Sequence, residues 1–502
     1  MNNMKNWNAL DWKQIEETVF IAQQAMYIAS KAKDINTVRH IQIYLLNINE
    51  TKYLAVKIVT SNSRSKTPDI DNWIEVTEED KFMIANNLTL DGNSSFIRRV
   101  YISKPGTRDK RPLGIQTIID RCKQCLCKLV LEPEFEAKFE SNSYGFRPGR
   151  SAIDAIAKIR SHLIFKGPCY VLDTYIRKCF DRINHVYLIN KINPLPIIAR
   201  QIYAWLKAGI FDKNEIIFPK EGTSQVGIIS PLLVNIALDG IQQELSDIIF
   251  NKFRAQIMKE TYFIRYADDL VVLGPTIEVI ETAKTAIENF LRFNGLELKD
   301  EATRIIYTLT MPRDTTTNKF IVKSEYFDFL GFRFKQRYLG KHRYWKAGNK
   351  VTHIRTLVLP SPDRIERHKA SIHALLRKIG DIKTLIQTLN PRIIGWTNYF
   401  KYSDGRQYGD LPRKLDLWMN VKIRKWIRRT SKKRGKTSKF WKQDNKDWVL
   451  FHKDPNTNEE ITLKKYSSYQ WSIYDYKAIN SYFSPYGLNF KEYKDIYKKK
   501  NC

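Results

Sequence analysis

Two adjacent carboxylates, Asp268 and Asp269, sit between apolar runs in Phe263-Ile264-Arg265-Tyr266-Ala267-Asp268-Asp269-Leu270-Val271-Val272-Leu273. The flanking residues read as a β-hairpin with the acids at its tip. Two-metal phosphoryl transfer needs such a pair, because Mg²⁺ takes hard oxygen ligands and clamps both attacking and leaving oxygens. The plainer reading is a polar turn between two strands, where Asp is common. A second set lies in Tyr144-Gly145-Phe146-Arg147-Pro148-Gly149-Arg150. Its Gly and Pro impose a rigid turn, which leaves Arg147 and Arg150 to hold phosphates or to be merely solvated. The third set is residues 413–442, with 13 Lys/Arg against the single acid Asp416 and with Trp418, Trp426, Phe440 and Trp441 interleaved. Arg424, Lys425, Arg428, Arg429, Lys432, Lys433 and Arg434 form a candidate phosphate-tracking surface there, since no acids offset them. A solvated basic tail is the bland alternative. Trp426 either stacks on a base or lies in the core, and its helical spacing favours the core.

These groups need a scaffold. A chain of 502 residues is too long for one ordinary core, so two to four subdomains are expected. The apolar content of 43% is enough to fold. The net charge of +31 on a folded chain points to a polyanion, and 12% aromatic residues favour nucleic acid over an anionic membrane. No stretch approaches the roughly 20 apolar residues of a membrane span. Met1-Asn2-Asn3-Met4-Lys5-Asn6 resembles neither a signal nor a transit peptide. The six cysteines are not spaced as a disulfide framework. Cys122, Cys125 and Cys127 cluster in a helical pattern from Arg121 to Phe139 without a fourth ligand, which suits buried thiols better than zinc.

Four consecutive stretches can be separated. Residues 1–90 are a helical lead-in with a polar loop at 61–68, and residues 91–345 alternate short apolar runs with helical patterns as an α/β body. Val279, Ala283, Ile287, Phe290 and Leu291 recur at helical spacing and Gly295 closes that helix. Residues 346–455 become helical and basic. Ser361-Pro362-Asp363 starts one helix, with Ile365, Ile372, Leu376 and Ile379 on a face and Gly380-Asp381 as its stop. Residues 456–502 form a basic, aromatic extension.

Tyr266-Ala267-Asp268-Asp269 resembles the active-site hairpin of reverse transcriptases, and other segments agree in order. Arg111-Pro112-Leu113-Gly114-Ile115 with Asp120-Arg121 is similar to the early fingers motif. Leu131-Glu132-Pro133 and Ser143–Ser151 resemble the segment running to the palm. Gln225-Val226-Gly227-Ile228-Ile229-Ser230-Pro231-Leu232-Leu233 resembles the loop and helix under template and primer, and Phe327–Phe332 the last palm strand. Leu389-Asn390-Pro391-Arg392-Ile393-Ile394-Gly395-Trp396-Thr397-Asn398-Tyr399-Phe400 looks like the thumb signature of group II intron maturases, with Ser484-Pro485-Tyr486 fitting near the end. The resemblance implies an α/β (α+β) right-hand polymerase fold with fingers and palm, then a helical thumb or maturase domain. It implies Asp268 and Asp269 as catalytic metal ligands for Mg²⁺, and Gln225, Gly227 and Tyr266 as template or primer contacts. It further implies Arg111, Arg147 and Arg150 as RNA-binding residues.

The family pattern for the first catalytic strand is an Asp, four residues, then Phe-Asp. Phe180-Asp181 and Asn184-His185 set the register, and Tyr175 stands at the Asp position. A phenol is neutral at pH 7 and a poor Mg²⁺ ligand. Asp173 faces the same side of the strand but lies roughly 6.5–7 Å away. Val226 stands where the first Gly of a pair is usual, Ala302 where Lys is, and Pro68-Asp69 where Ala-Gly is. In the extension beyond the thumb, no Cys-x-x-Cys pairs or His-Asn-His-like cluster mark an appended DNA endonuclease. The expected function is therefore a maturase that binds its group II intron RNA and promotes folding and splicing, with RNA-directed DNA synthesis lost or weak. The alternatives are an active reverse transcriptase, with DNA as a further partner, and a general RNA chaperone with several intron clients. A homodimer stays open. Heavy use of Ile, Lys, Asn and Tyr, whose codons are AT-rich, points to an organelle, the plastid ahead of the mitochondrion.

Overall fold

A computed structural model describes residues 6–61, 76–103, 110–213, 215–222, 227–310, 326–340, 342–347, 350–430, 440–444, 447–454, 457–476, 478 and 483–501. Contacts divide the chain into two compact units. The first comprises residues 1–155, 171–305 and 479–502, and the second residues 156–170 and 306–478. This cut differs from four consecutive stretches. The residues that follow the helical region split between the two units, because buried apolar contacts, not chain order, decide where a segment packs.

In the first unit, helices Trp12–Lys31, Ile35–Asn47 and Asn49–Thr60 pack on the Ile118–Lys138 helix. Asp11 and Asp34 start the first two by accepting from the backbone N–H three residues on, satisfying donors a helix leaves open. Phe20 and Tyr27 meet Tyr486 from the far end of the chain, and the Tyr486 hydroxyl donates to Glu132 Oε2 at 3.2 Å. Cys122, Cys125 and Cys127 are buried in the Ile118–Lys138 helix, and burial pushes the Cys125 thiol up to about 12. Two four-stranded sheets follow. One is ordered Lys110–Ile115, Ile97–Ser103, Ile210–Asp212, Glu215–Ile217. The other is ordered Tyr262–Tyr266, Asp269–Gly274, Tyr170–Tyr175, Arg304–Tyr307. The predicted helix forms as Ile277–Phe293, burying Val279, Ala283, Ile287, Phe290 and Leu291, with Gly295 at φ +73° beyond its end.

In the second unit, strand Phe332–Tyr338 pairs antiparallel with Phe327–Phe329 and Ile354–Pro360. Helices Pro362–Lys378, Ile382–Phe400 and Leu411–Thr430 follow. Pro362 occupies a first-turn position and Asp381 caps the next helix through Thr384 N. His368 stacks on Trp396 at 4.8 Å and its Nε2 bonds the Tyr466 hydroxyl at 2.7 Å. Asp416, the lone acid of the basic tract, accepts from the backbone N–H groups of Tyr466 and Ser467, so it is a structural cap.

Arg147 and Arg150 correct a sequence expectation. The Arg147 side chain is 2% exposed and lies against a Glu136 side chain that is 0% exposed, Nη2 to Oε1 at 2.7 Å. Its Nε bonds Glu136 Oε2, and its Nη1 donates to the carbonyls of Glu140 and Ser143. Arg150 donates to the carbonyls of Ser141 and Phe483. Burial beside Arg147 lowers its pKa to about 10. The buried Arg147 guanidinium serves the fold, not a phosphate, because a buried planar fork is satisfied only by several fixed acceptors, whereas Arg150 is half-buried. Arg147→Met strands the Glu136 carboxylate and should cost about 3–5 kcal/mol. Chemical denaturation would show this, and Glu136→Gln added to Arg147→Met should recover much of it.

Candidate functional site

The Asp268-Asp269 hairpin pairs Tyr262–Tyr266 with Asp269–Gly274, Tyr266 lying directly opposite Asp269. Ala267 and Asp268 form the two-residue turn, with Ala267 at φ +58°, the sign primed hairpin turns require at their first central position. Four hydrogen bonds hold this strained turn. Tyr144 N donates to Arg265 O at 2.9 Å, and Arg265 N donates to Asn142 O at 3.0 Å. The wholly buried Arg265 side chain donates to Asn235 Oδ1 at 3.0 Å, and Asn235 Nδ2 donates to Gly145 O at 2.8 Å. A Cβ on Gly145 would overlap the Ala267 nitrogen, so glycine is required where the two backbones meet. Arg265 and Asn235 do not stand out in the sequence. The only signal for Arg265 is a charged residue on the alternate position of an otherwise apolar strand.

Asp269 is buried, and its Oδ1 has no hydrogen-bond partner among the described residues. Its carboxyl is held well above the usual range by burial and by the charges of Asp173 and Asp268. Asp268 is half-buried at the turn and Tyr266 half-buried before it. Ile176 N donates to Asp268 O at 2.9 Å, which brings the end of the Tyr170–Tyr175 strand against the acids. Tyr175 is half-buried there, and burial together with Asp269 and Asp173 pushes its phenol up. Asp173, 0% exposed, accepts from Arg304 Nη2 at 2.6 Å. Arg304 lies two residues beyond Ala302. Its guanidinium thus brings a positive charge to Asp173, a pairing across 131 residues that sequence reasoning did not find.

These residues do not supply the donor set of a two-metal centre. Two adjacent carboxylates remain, a phenol fills the third position, and the remaining acid is already paired with a guanidinium. Among the described residues, no cluster of three His, Cys, Asp or Glu could hold a metal ion. Gly227 is buried, and a Cβ there would overlap Ser230 Oγ and press on Gln124 Oε1 at 3.1 Å. Gln225, Val226, Pro68 and Asp69 lie outside the described residues, as does the side chain of Arg111, whose backbone pairs with Ile102.

The Leu411–Thr430 helix buries Leu415, Met419, Ile423, Trp426 and Ile427. Trp426 is 4% exposed, and its indole N–H donates to Ile379 O at 2.9 Å, so it is core. Arg424, Lys425, Arg428 and Arg429 are exposed, and Arg429 donates to Leu376 O. Lys432, Lys433 and Arg434 lie outside the described residues.

Comparison with known proteins agrees with this layout. The family model described as the N-terminal domain of reverse transcriptase matches residues 7–88. That for reverse transcriptase (RNA-dependent DNA polymerase) matches residues 102–334. The group II intron, maturase-specific domain matches residues 365–445. The group II intron-encoded protein LtrA of Lactococcus lactis subsp. cremoris is 37% identical over 193 residues, 37% of this chain and 32% of that protein. The aligned region thus spans about a third of that relative. Protein YkfC of Escherichia coli (strain K12) is 25% identical over 376 residues, 68% of this chain and 92% of YkfC. Maturase-like protein 1 of Euglena gracilis is 23% identical over 414 residues, 79% of this chain and 77% of that protein. With the polymerase core, the domain before it and the maturase-specific domain matched in that order, the chain belongs to the family of group II intron-encoded reverse transcriptases and maturases.

Proposed function

We propose that this protein binds a group II intron RNA and promotes its folding and splicing, with RNA-directed DNA synthesis lost or much weakened. The observation that carries the second half is Tyr175 among Asp269, Asp173 and Asp268, with Asp173 committed to Arg304. Mg²⁺ would then serve the RNA, since the palm lacks the oxygen donors to clamp it. The first half rests on Arg424, Lys425 and Arg428, exposed on a helix whose other face is core. A protein that binds the folded intron and not the misfolded one stabilises it by mass action, and the RNA performs the transesterification. None of the described helices is long and apolar enough to cross a membrane. For the compartment we favour an organelle, the plastid before the mitochondrion, on codon-linked composition alone.

An active reverse transcriptase is the second reading, favoured by the retained Asp268-Asp269 turn. Primer extension on an RNA template with Mg²⁺ or Mn²⁺ decides between them: no product is expected, and synthesis at rates ordinary for a polymerase would overturn the loss. Splicing of the host intron should be promoted at moderate salt. Replacing Arg424, Lys425 and Arg428 by Ala should weaken intron binding and flatten its salt dependence. The log–log slope should fall by roughly 0.7 for each single-strand phosphate that the variant no longer neutralises. An unchanged slope would remove that helix from the RNA surface.

Asp269 gives a pH test. Its raised folded pKa means that the native state binds a proton the unfolded chain has released. Stability contributed by the protonated carboxyl is therefore present in acid and lost as pH rises through the folded pKa. Asp269→Asn should melt a few degrees above the parent at pH 8, with the gap closing towards pH 4. A variant that melts lower at pH 8 would refute this electrostatic picture.

A further inference from the structure

The tract from Phe329 to Pro362 holds eight Lys/Arg and two His with no Asp or Glu. Most of it lies between the segments matched by the polymerase and maturase-specific models, which end at 334 and begin at 365. Within it, Trp345–Ala347 and Lys350–Thr352 form a small antiparallel hairpin, Lys346 opposite Val351. Tyr344 is 63% exposed and Val351 57%, and Arg343 and Lys346 stand exposed beside them. On the adjoining strand Lys335 and Arg337 are exposed, alternating with the buried Phe334 and Gln336.

The charges in this tract are poorly compensated. Arg337 lies directly across the ladder from Arg355, and like charges so placed repel. Arg333 is neutralised by Asp328 at 2.8 Å. Among the described residues, Lys335, Arg337, Arg343 and Lys346 form no ion pair. Arg337 instead donates to the hydroxyl of Tyr408 at 3.1 Å. The acid facing Arg355 is Asp404, which is buried and accepts from Val358 N. Protection of a sheet edge against pairing explains lysines there, but it does not explain a largely exposed tyrosine and valine between them.

We propose that this hairpin, with the outer face of the Phe332–Tyr338 strand, binds single-stranded RNA. Arg343, Lys346 and Arg337 hold phosphates, and the Tyr344 ring stacks on an unpaired base. Stacking distinguishes the strand state, because the bases of an A-form stem are closed to an external ring, whereas every unpaired base offers a face. The inference rests on the RNA-binding reading above and adds to it a second surface, separate in sequence from the Leu411–Thr430 helix, and the state of the RNA it grips.

The test uses the full chain and generic probes, so it does not depend on the host intron. Anisotropy of a labelled oligouridylate of about 12 nucleotides is compared with that of a blunt RNA duplex of similar length, in about 50 mM salt, where phosphate contacts are strong. The variant Arg343→Ala/Tyr344→Ala/Lys346→Ala should bind the single strand about tenfold more weakly and the duplex within about twofold of the parent. Tyr344→Phe should bind the single strand as the parent does, since the ring face is kept. All substituted groups are exposed, and an unaltered thermal melt verifies folding. Equal weakening on single strand and duplex, or none on the single strand, would overturn the proposal. So would a variant that instead loses binding to anionic phospholipid vesicles. A parent that ignores the oligouridylate yet still binds its intron would end this proposal alone and leave the broader one standing.

Discussion

The close approach of two backbones, Tyr144-Gly145 against the turn at Ala267-Asp268, is the constraint on which the palm depends. It permits no side chain at position 145 and holds Ala267 at a positive φ. The buried Arg265 spans the contact through Asn235, and burial lowers its pKa while Glu140 and Asp239 favour its charge. A buried guanidinium stranded without acceptors would be costly, so the loop, the Ser230–Leu238 helix and the hairpin are mutually determined. That arrangement positions Asp268 and Asp269 whether or not chemistry takes place there.

That framework encloses a closely packed set of ionisable groups. Tyr175 brings a neutral phenol to the acids, and Arg304 brings a cation to Asp173. Carboxylates packed this closely need either bound metal, protons or a side-chain cation to offset their repulsion. In this chain a proton on Asp269 and the guanidinium of Arg304 are available for that role. The hairpin can therefore hold its shape without a bound metal ion.

Net charge alone is a poor guide to the contact surface. Of the cations that stand out in the sequence, Arg147 and Arg150 point inward to carbonyls and a carboxylate, while Arg424, Lys425 and Arg428 point outward. A further outward set, on the hairpin around Tyr344, lies where the strand periodicity is short and the basic residues are spread out. Runs of cations attract notice in a sequence, whereas a surface gathered from alternate positions on paired strands does not.

Much was legible from local pattern. The alternating apolar runs around Asp268-Asp269 specified a hairpin, and helical spacing placed Trp426 in the core and Val279 to Leu291 on one face. The apolar run before Phe180-Asp181 indicated the strand that carries Tyr175, and that strand lies beside the acids. These features follow from periodicities of two and 3.6 residues, which the chain carries within a few turns. Only the tertiary structure decided which charges would be neutralised. Arg304 meets Asp173 across 131 residues, and Tyr486 reaches Glu132 across 354. A buried ionic or polar group is stable only beside its partner, and that partner is supplied by whatever distant segment the packing of the apolar core brings near.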